Sequence, residues 1–175
     1  EVDIYTDASI ASPLVGTAWA SPDIDSIQGK RSLHIPQVTI LEAELHAIIH
    51  TIDFIMFDFQ SSLPSQIRIL TDCFEALKIF TKRTSASHIA NKILHQISIL
   101  KSSGIHVRID WSPGHGESSL GNQAAHAAAR ECIPPTTPLF PDLTAPPPYS
   151  IPPAIQLLRY KKDKKDRLKA LTPAG

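Results

Sequence analysis

Apolar and polar side chains alternate through residues 2–9, VDIYTDAS, and the run ends on a small-polar cluster, the pattern of a half-buried strand. LVGTAWAS and the stretch from Ile24 to Ile35 read as two further strands, joined through the turn-forming SPD and QGK segments, so a three-stranded antiparallel meander is expected. Then the period changes. Leu41, Leu45, Ile48, Ile49, Ile52 and Ile55 recur at helical spacing, which predicts a long amphipathic helix from about Ile40 to Phe59 with Thr39 as its N-cap. QIRILTD reads as a fourth strand and CFEALKIFTKR as a short helix. Ile89, Ile93, Leu94, Ile97 and Leu100 restore the helical period from Ser87 to Leu100, and Gly104 stops that helix. IHVRIDW is a fifth strand, SPGHGESSLGN a polar glycine-rich loop and QAAHAAARE an alanine-rich helix.

A strand that follows a helix returns parallel to its neighbour through a right-handed crossover, so the fourth and fifth strands should run parallel to the first. The expected fold is α/β, a mixed five-stranded sheet of three antiparallel strands then two parallel ones, with helices on both faces. With 175 residues, 42% of them hydrophobic, the chain fills one core and falls short of two. From Ile133 the composition shifts, with nine prolines by Pro153, so the domain is expected over 1–132 and an extended proline-rich linker over 133–154. Residues 155–175 read as a basic, weakly amphipathic tail, a candidate helix that would need a partner.

Formal charge is zero, but residues 1–130 hold ten basic against thirteen acidic side chains. The folded part is therefore mildly acidic, and clustered acids would need metal ions before a polyanion approached. Cys73 and Cys132 are isolated thiols without a CxxC pair, which argues against a disulfide framework and a zinc site and for a reducing, intracellular setting, cytoplasmic or nuclear. No apolar run is long enough to cross a bilayer, and the first residues lack the features of a signal peptide. The chain begins inside a strand pattern, as a piece of a longer polypeptide would.

Asp7 closes the first strand pattern and Asp72 the fourth; if those strands are parallel neighbours, both carboxylates reach the edge where open α/β sheets place ligands. Glu44, in the first turns of the long helix, can point along the sheet toward them. Three converging carboxylates repel one another unless protonated or held by a cation, and hard oxygen donors suit Mg²⁺ or Mn²⁺. Two such ions can activate a water and stabilise the leaving oxygen in a phosphoryl displacement. Each residue alone has a plainer role: Asp7 in a turn, Glu44 as a solvated helix charge, Asp72 as N-cap of the next helix.

In order and approximate spacing, DIYTDAS, ILEAELHAI, RILTDCFEAL and VRIDWSPGHGESSLGNQAAHAAAR resemble the four signature blocks of type 1 ribonuclease H. They look closest to the domains near the C-terminus of non-LTR retrotransposon polyproteins, over about residues 2–132. The resemblance implies endonucleolytic hydrolysis of the RNA strand of RNA–DNA hybrids with two Mg²⁺ or Mn²⁺ ions, beside a reverse transcriptase domain in a parent polyprotein. It implies that Asp7 bridges both ions, and that Glu44 and Asp72 complete the site of the ion at the leaving 3′ oxygen. His115 becomes the mobile histidine that assists proton transfer and product release, and Ser9 and Asn122 become substrate-contacting positions. A monomer, with no membrane partner, is expected.

Two departures stand out. The family's GNExAD block reads GNQAAH here, so His126 replaces the fourth carboxylate, and the loop from His115 to Asn122 is one residue longer than usual. As a metal ligand, His126 offers one lone pair without charge, so Mg²⁺ should bind more weakly and Mn²⁺ be better tolerated. As a plain surface residue of an alanine-rich helix it leaves the site short of a ligand, and the domain becomes a weakened or silent relative that binds hybrids or supports the reverse transcriptase. Asn122 also suits a helix cap. The other six histidines are read as scattered surface residues, Lys161 to Lys169 as a solvated run, and Lys78, Lys82 and Arg83 as lying near a hybrid's backbone.

Overall fold

In the computed structural model, which describes residues 1–58, 64–81, 87–114 and 120–134, the alternating N-terminal segment forms β1 (Val2–Ala11), two residues longer than its pattern suggested. It pairs antiparallel with β2 (Leu14–Ala20), which pairs antiparallel with β3 (Gln28–His34). On its other side β1 runs parallel to β4 (Gln66–Thr71), and β4 parallel to β5 (His106–Trp111), giving the order β3-β2-β1-β4-β5. This is the mixed five-stranded sheet expected from the sequence.

The QGK segment is not a turn. It opens β3, with Gly29 opposite Trp19, and the indole lies where a Cβ of residue 29 would be. Glycine is required there by packing rather than by turn geometry. The reversal lies earlier, where the Ser21 amide bonds the Ile27 carbonyl at 2.8 Å.

α1 (Ile40–Phe57) begins at Thr39 as predicted. The Thr39 hydroxyl accepts the Glu42 amide at 3.1 Å and the Glu42 carboxylate accepts the Thr39 amide at 2.9 Å, a reciprocal cap. α2 (Phe74–Thr81) and α3 (His88–Ser102) follow, the latter capped by Ser87 and ended before Gly104, whose φ of 84° is left-handed. Ile4 and Ile69 of the sheet, Leu45, Ile48, Ile52 and Ile55 of α1 and Ile93 of α3 are at most 1% exposed and form one core. Each such side chain contributes roughly 1.5–3 kcal/mol by leaving water, and together they fix α1 against one face.

α4 (Leu120–Glu131) covers the opposite face of β1 and β2. It starts three residues before the expected QAAHAAARE segment, because Leu120, Gly121 and Asn122 belong to its first turn and not to the preceding loop. Gly121 has no side chain to collide with the Tyr5 ring, and Gly16 in β2 lets the Ala129 carbonyl approach the sheet. Small residues meet here so that backbone reaches backbone. A Cβ at position 16 would overlap the Ala129 carbonyl oxygen and crowd Cys132. Gly16→Ala is therefore expected to destabilise the domain by about 1–3 kcal/mol through overpacking, read from urea unfolding. An unchanged midpoint would mean that α4 does not seat here.

Contacts divide the chain into Glu1–Pro135 and Thr136–Gly175. The second unit lies outside the described residues, and with it nearly all of the expected linker and the whole basic tail.

Candidate metal centre

The parallel register of β1 and β4 runs from Val2 opposite Ile67 to Thr6 opposite Thr71, so the next residues in line are Asp7 and Asp72. Asp7 does not end its strand. β1 continues beside β2 to Ala11, and Asp7, opposite Ala18 of β2, is the first residue of β1 past the end of its pairing with β4. Asp72 follows β4 directly. It is not the N-cap of α2, which starts at Phe74; instead the Cys73 amide bonds the Thr71 hydroxyl at 3.1 Å, and the Asp72 carbonyl accepts the Trp111 indole N–H at 3.2 Å.

From the other side of the sheet edge, the second turn of α1 delivers Glu44, buried between Ala43 and Leu45. One carboxylate oxygen from each of Asp7, Glu44 and Asp72 lies within 4.8 Å of the others. Asp7 is 4% exposed and Glu44 5%, and Glu44 Oε2 is buried without a hydrogen-bond partner. Gly114 closes over Asp72, where any side chain would strike the carboxylate.

Burial first, then the charges of Asp7 and Asp72, push the Glu44 carboxyl up to about 9. Burial also raises Asp7, against the lowering effect of its hydrogen bond to His126. A bare pocket of this kind favours protons, and a divalent ion satisfies it equally well. The carboxylate oxygens, the orphaned Glu44 oxygen among them, form a group that could hold a metal ion.

A stability consequence follows. Because Glu44 holds its proton more tightly folded than unfolded, the metal-free protein should lose stability as pH rises above about 4.5, with the loss complete above about 9. Thermal unfolding in chelator is expected to show a midpoint falling from pH 5 to 9, flattened by Glu44→Gln and largely reversed by Mn²⁺. A slope identical in parent and Glu44→Gln would contradict the burial of this charge.

His126 reaches the site from α4, with Nδ1 2.7 Å from Asp7 Oδ2 and a side chain 53% exposed. It meets the site through Asp7, as a hydrogen-bond partner, and is not a member of the metal-sized group. Ser9 lies two residues along β1 from Asp7, on the same face and partly exposed. Asn122 is not a helix cap; it is buried in the first turn of α4, and its side-chain amide donates to the Gly114 carbonyl at 2.9 Å. That bond ties the segment over Asp72 to the helix carrying His126. His115, Lys82 and Arg83 lie outside the described residues. Lys78 pairs with Glu75 at 2.5 Å and lies over the Phe74 ring.

Sequence reasoning missed the Asp7–His126 pair, which joins residues 119 apart, and the roles of Gly114 and Asn122 as a brace over Asp72. The Pro-Gly pair at 113–114 was the one local sign that a side chain had no room there. Among the described residues, no helix is long and apolar enough to cross a membrane. A scan against protein-family models finds no match for this chain, and a search of the curated proteins finds none either.

Proposed function

We propose that this chain is a metal-dependent endoribonuclease of the ribonuclease H type, retrotransposon-derived, which hydrolyses the RNA strand of RNA–DNA hybrids. The observation that carries this is the convergence of Asp7, Glu44 and Asp72 at the end of the parallel strands, with a buried Glu44 oxygen lacking any partner. Three of the four sequence blocks that resemble the family contribute these same residues.

Asp7, Glu44 and Asp72 would hold the divalent ions, which when bound polarise the scissile phosphate and lower the pKa of water. Glu44 gives up its proton on loading, since only the carboxylate is a ligand. His126 holds Asp7 through its Oδ2 and so orients the carboxylate that would hold the ion. Gly114, braced by Asn122, keeps the approach to Asp72 narrow. Ser9 lies along the same strand, where a phosphate or sugar hydroxyl would contact it.

A second reading, a catalytically weakened domain that binds hybrids or supports a neighbouring reverse transcriptase, is favoured by one observation. His126 engages an Asp7 oxygen where a fourth carboxylate would add a ligand. A labelled RNA–DNA hybrid, beside duplex RNA and duplex DNA, with Mg²⁺ or Mn²⁺, separates the two. Hydrolysis confined to the hybrid, greater with Mn²⁺ and stopped by chelator, supports the nuclease; an intact hybrid in both metals supports the silent domain.

A further inference from the structure

The parallel strands end in one line, with Thr6 of β1 opposite Thr71 of β4 and Thr71 opposite Trp111 of β5. Neighbouring strands lie about 4.8 Å apart, so Trp111 stands one strand beyond the residue that precedes Asp72. Its indole N–H donates to the Asp72 carbonyl at 3.2 Å, and the carboxylate of Asp72 belongs to the metal-sized group. The ring is thus anchored by its edge to the backbone of a metal-site residue. It is nevertheless 50% exposed, whereas tryptophan is highly buried on average. Of the three exposed Phe and Trp rings among the described residues, Phe57, Phe74 and Trp111, two flank Asp72, since Phe74 follows it by two residues.

A nucleic acid offers a protein two kinds of surface, its phosphates and the apolar faces of its sugars and bases. The described part of this chain is poorly equipped for the first. Lys30, Arg31, Arg68, Lys78 and Arg108 are each paired with a carboxylate. Aromatic rings beside the metal centre supply the second, without depending on charge. Trp111 also lines an open cavity of about 400 Å³ with Leu77, Phe80 and Thr81 of α2, which leaves room against the indole for a sugar ring.

We propose that Trp111 is a substrate-positioning residue, whose indole face packs on the sugar of a nucleotide close to the cleaved phosphate. The inference rests on the nuclease reading above and adds to it how a mildly acidic domain grips its substrate. The bond to the Asp72 carbonyl fixes the ring relative to the metal centre, so a nucleotide seated on it brings its neighbouring phosphate into register with Asp7 and Asp72.

The test measures binding apart from cleavage. The full chain carrying Asp7→Asn is mixed with a fluorescein-labelled RNA–DNA hybrid in Mg²⁺, and anisotropy gives Kd over a range of salt. Adding Trp111→Ala should weaken Kd about tenfold, because one stacking contact is lost. The slope of log Kd against log salt should stay as it was, since no phosphate contact goes with it. Trp111→Phe keeps a ring and loses the anchor, so a loss of about threefold is expected. The chain has two tryptophans, and the other, Trp19, is 3% exposed, so unlabelled hybrid should quench the emission of Trp111 and leave that of Trp111→Phe unchanged. The quenching stands as evidence even where Trp111→Ala fails to fold. Hybrid that binds without quenching, or a folded Trp111→Ala protein with Kd within about twofold of its parent, overturns this proposal and leaves the nuclease reading in place. A chain that binds no hybrid overturns both.

Discussion

Asp7→Asn is expected to abolish hybrid hydrolysis. Asp7 is the carboxylate that belongs to the group able to hold a metal ion and is also bonded by His126, and the substitution removes its charge while keeping its shape. Losing a metal-holding carboxylate forfeits several kcal/mol of transition-state stabilisation, about a thousandfold in rate or more. Folding should survive. Asp7 is 4% exposed and burial raises its carboxyl, with Asp72 adding to the rise, so the neutral amide removes the cost of a buried charge and its repulsion from Asp72 and leaves the metal-free protein at least as stable as the parent. The measurement is kcat/KM on a labelled hybrid together with a thermal midpoint in chelator. A folded Asp7→Asn protein that still cleaves at the parent rate would remove this site from the chemistry altogether.

His126→Asp should act in the other direction, raising the Mg²⁺-dependent rate by about tenfold or more. A carboxylate at this position offers a hard, charged donor where the imidazole offers one softer lone pair, and Mg²⁺ discriminates strongly between them. The side chain is half exposed, so α4 accommodates the change without repacking. The substitution also has a cost. Asp7 loses the hydrogen bond that offsets its burial, and a further negative charge comes close to it, so the metal-free variant should melt lower and gain more from added Mg²⁺ than the parent does. If Mg²⁺ activity fails to rise while Asp7→Asn is dead, His126 works by fixing Asp7 and has no part in holding metal. His126→Ala then discriminates further, since loss of a positioning partner lowers kcat with Mn²⁺ and Mg²⁺ alike.

Strand and helix periods, caps and stops were open to reading because each depends on neighbours within a few residues. Thr39 with Glu42, Ser87 and Gly104 mark their helix ends by local hydrogen bonding and backbone freedom, and the structure uses all of them. The order of elements then implied the parallel pairing that lines up Asp7 with Asp72, since crossovers have one hand. Local pattern misled where a residue serves a distant partner. Gly29 looked like a turn and is an indole seat, Asp72 looked like a cap and is not one, and Asn122 looked like a cap and braces Gly114.

What the sequence alone determined about this protein is thus the set of elements, their order and the three acidic positions, because periodicity and capping are short-range physics. Only the tertiary structure decided that Glu44 is buried with an unpartnered oxygen, that His126 spends its ring nitrogen on Asp7, and that His50 turns from the surface to Thr17. Those outcomes depend on which side chains the packing of α1 and α4 brings within hydrogen-bonding distance across the sheet, and no spacing along the chain encodes such a distance.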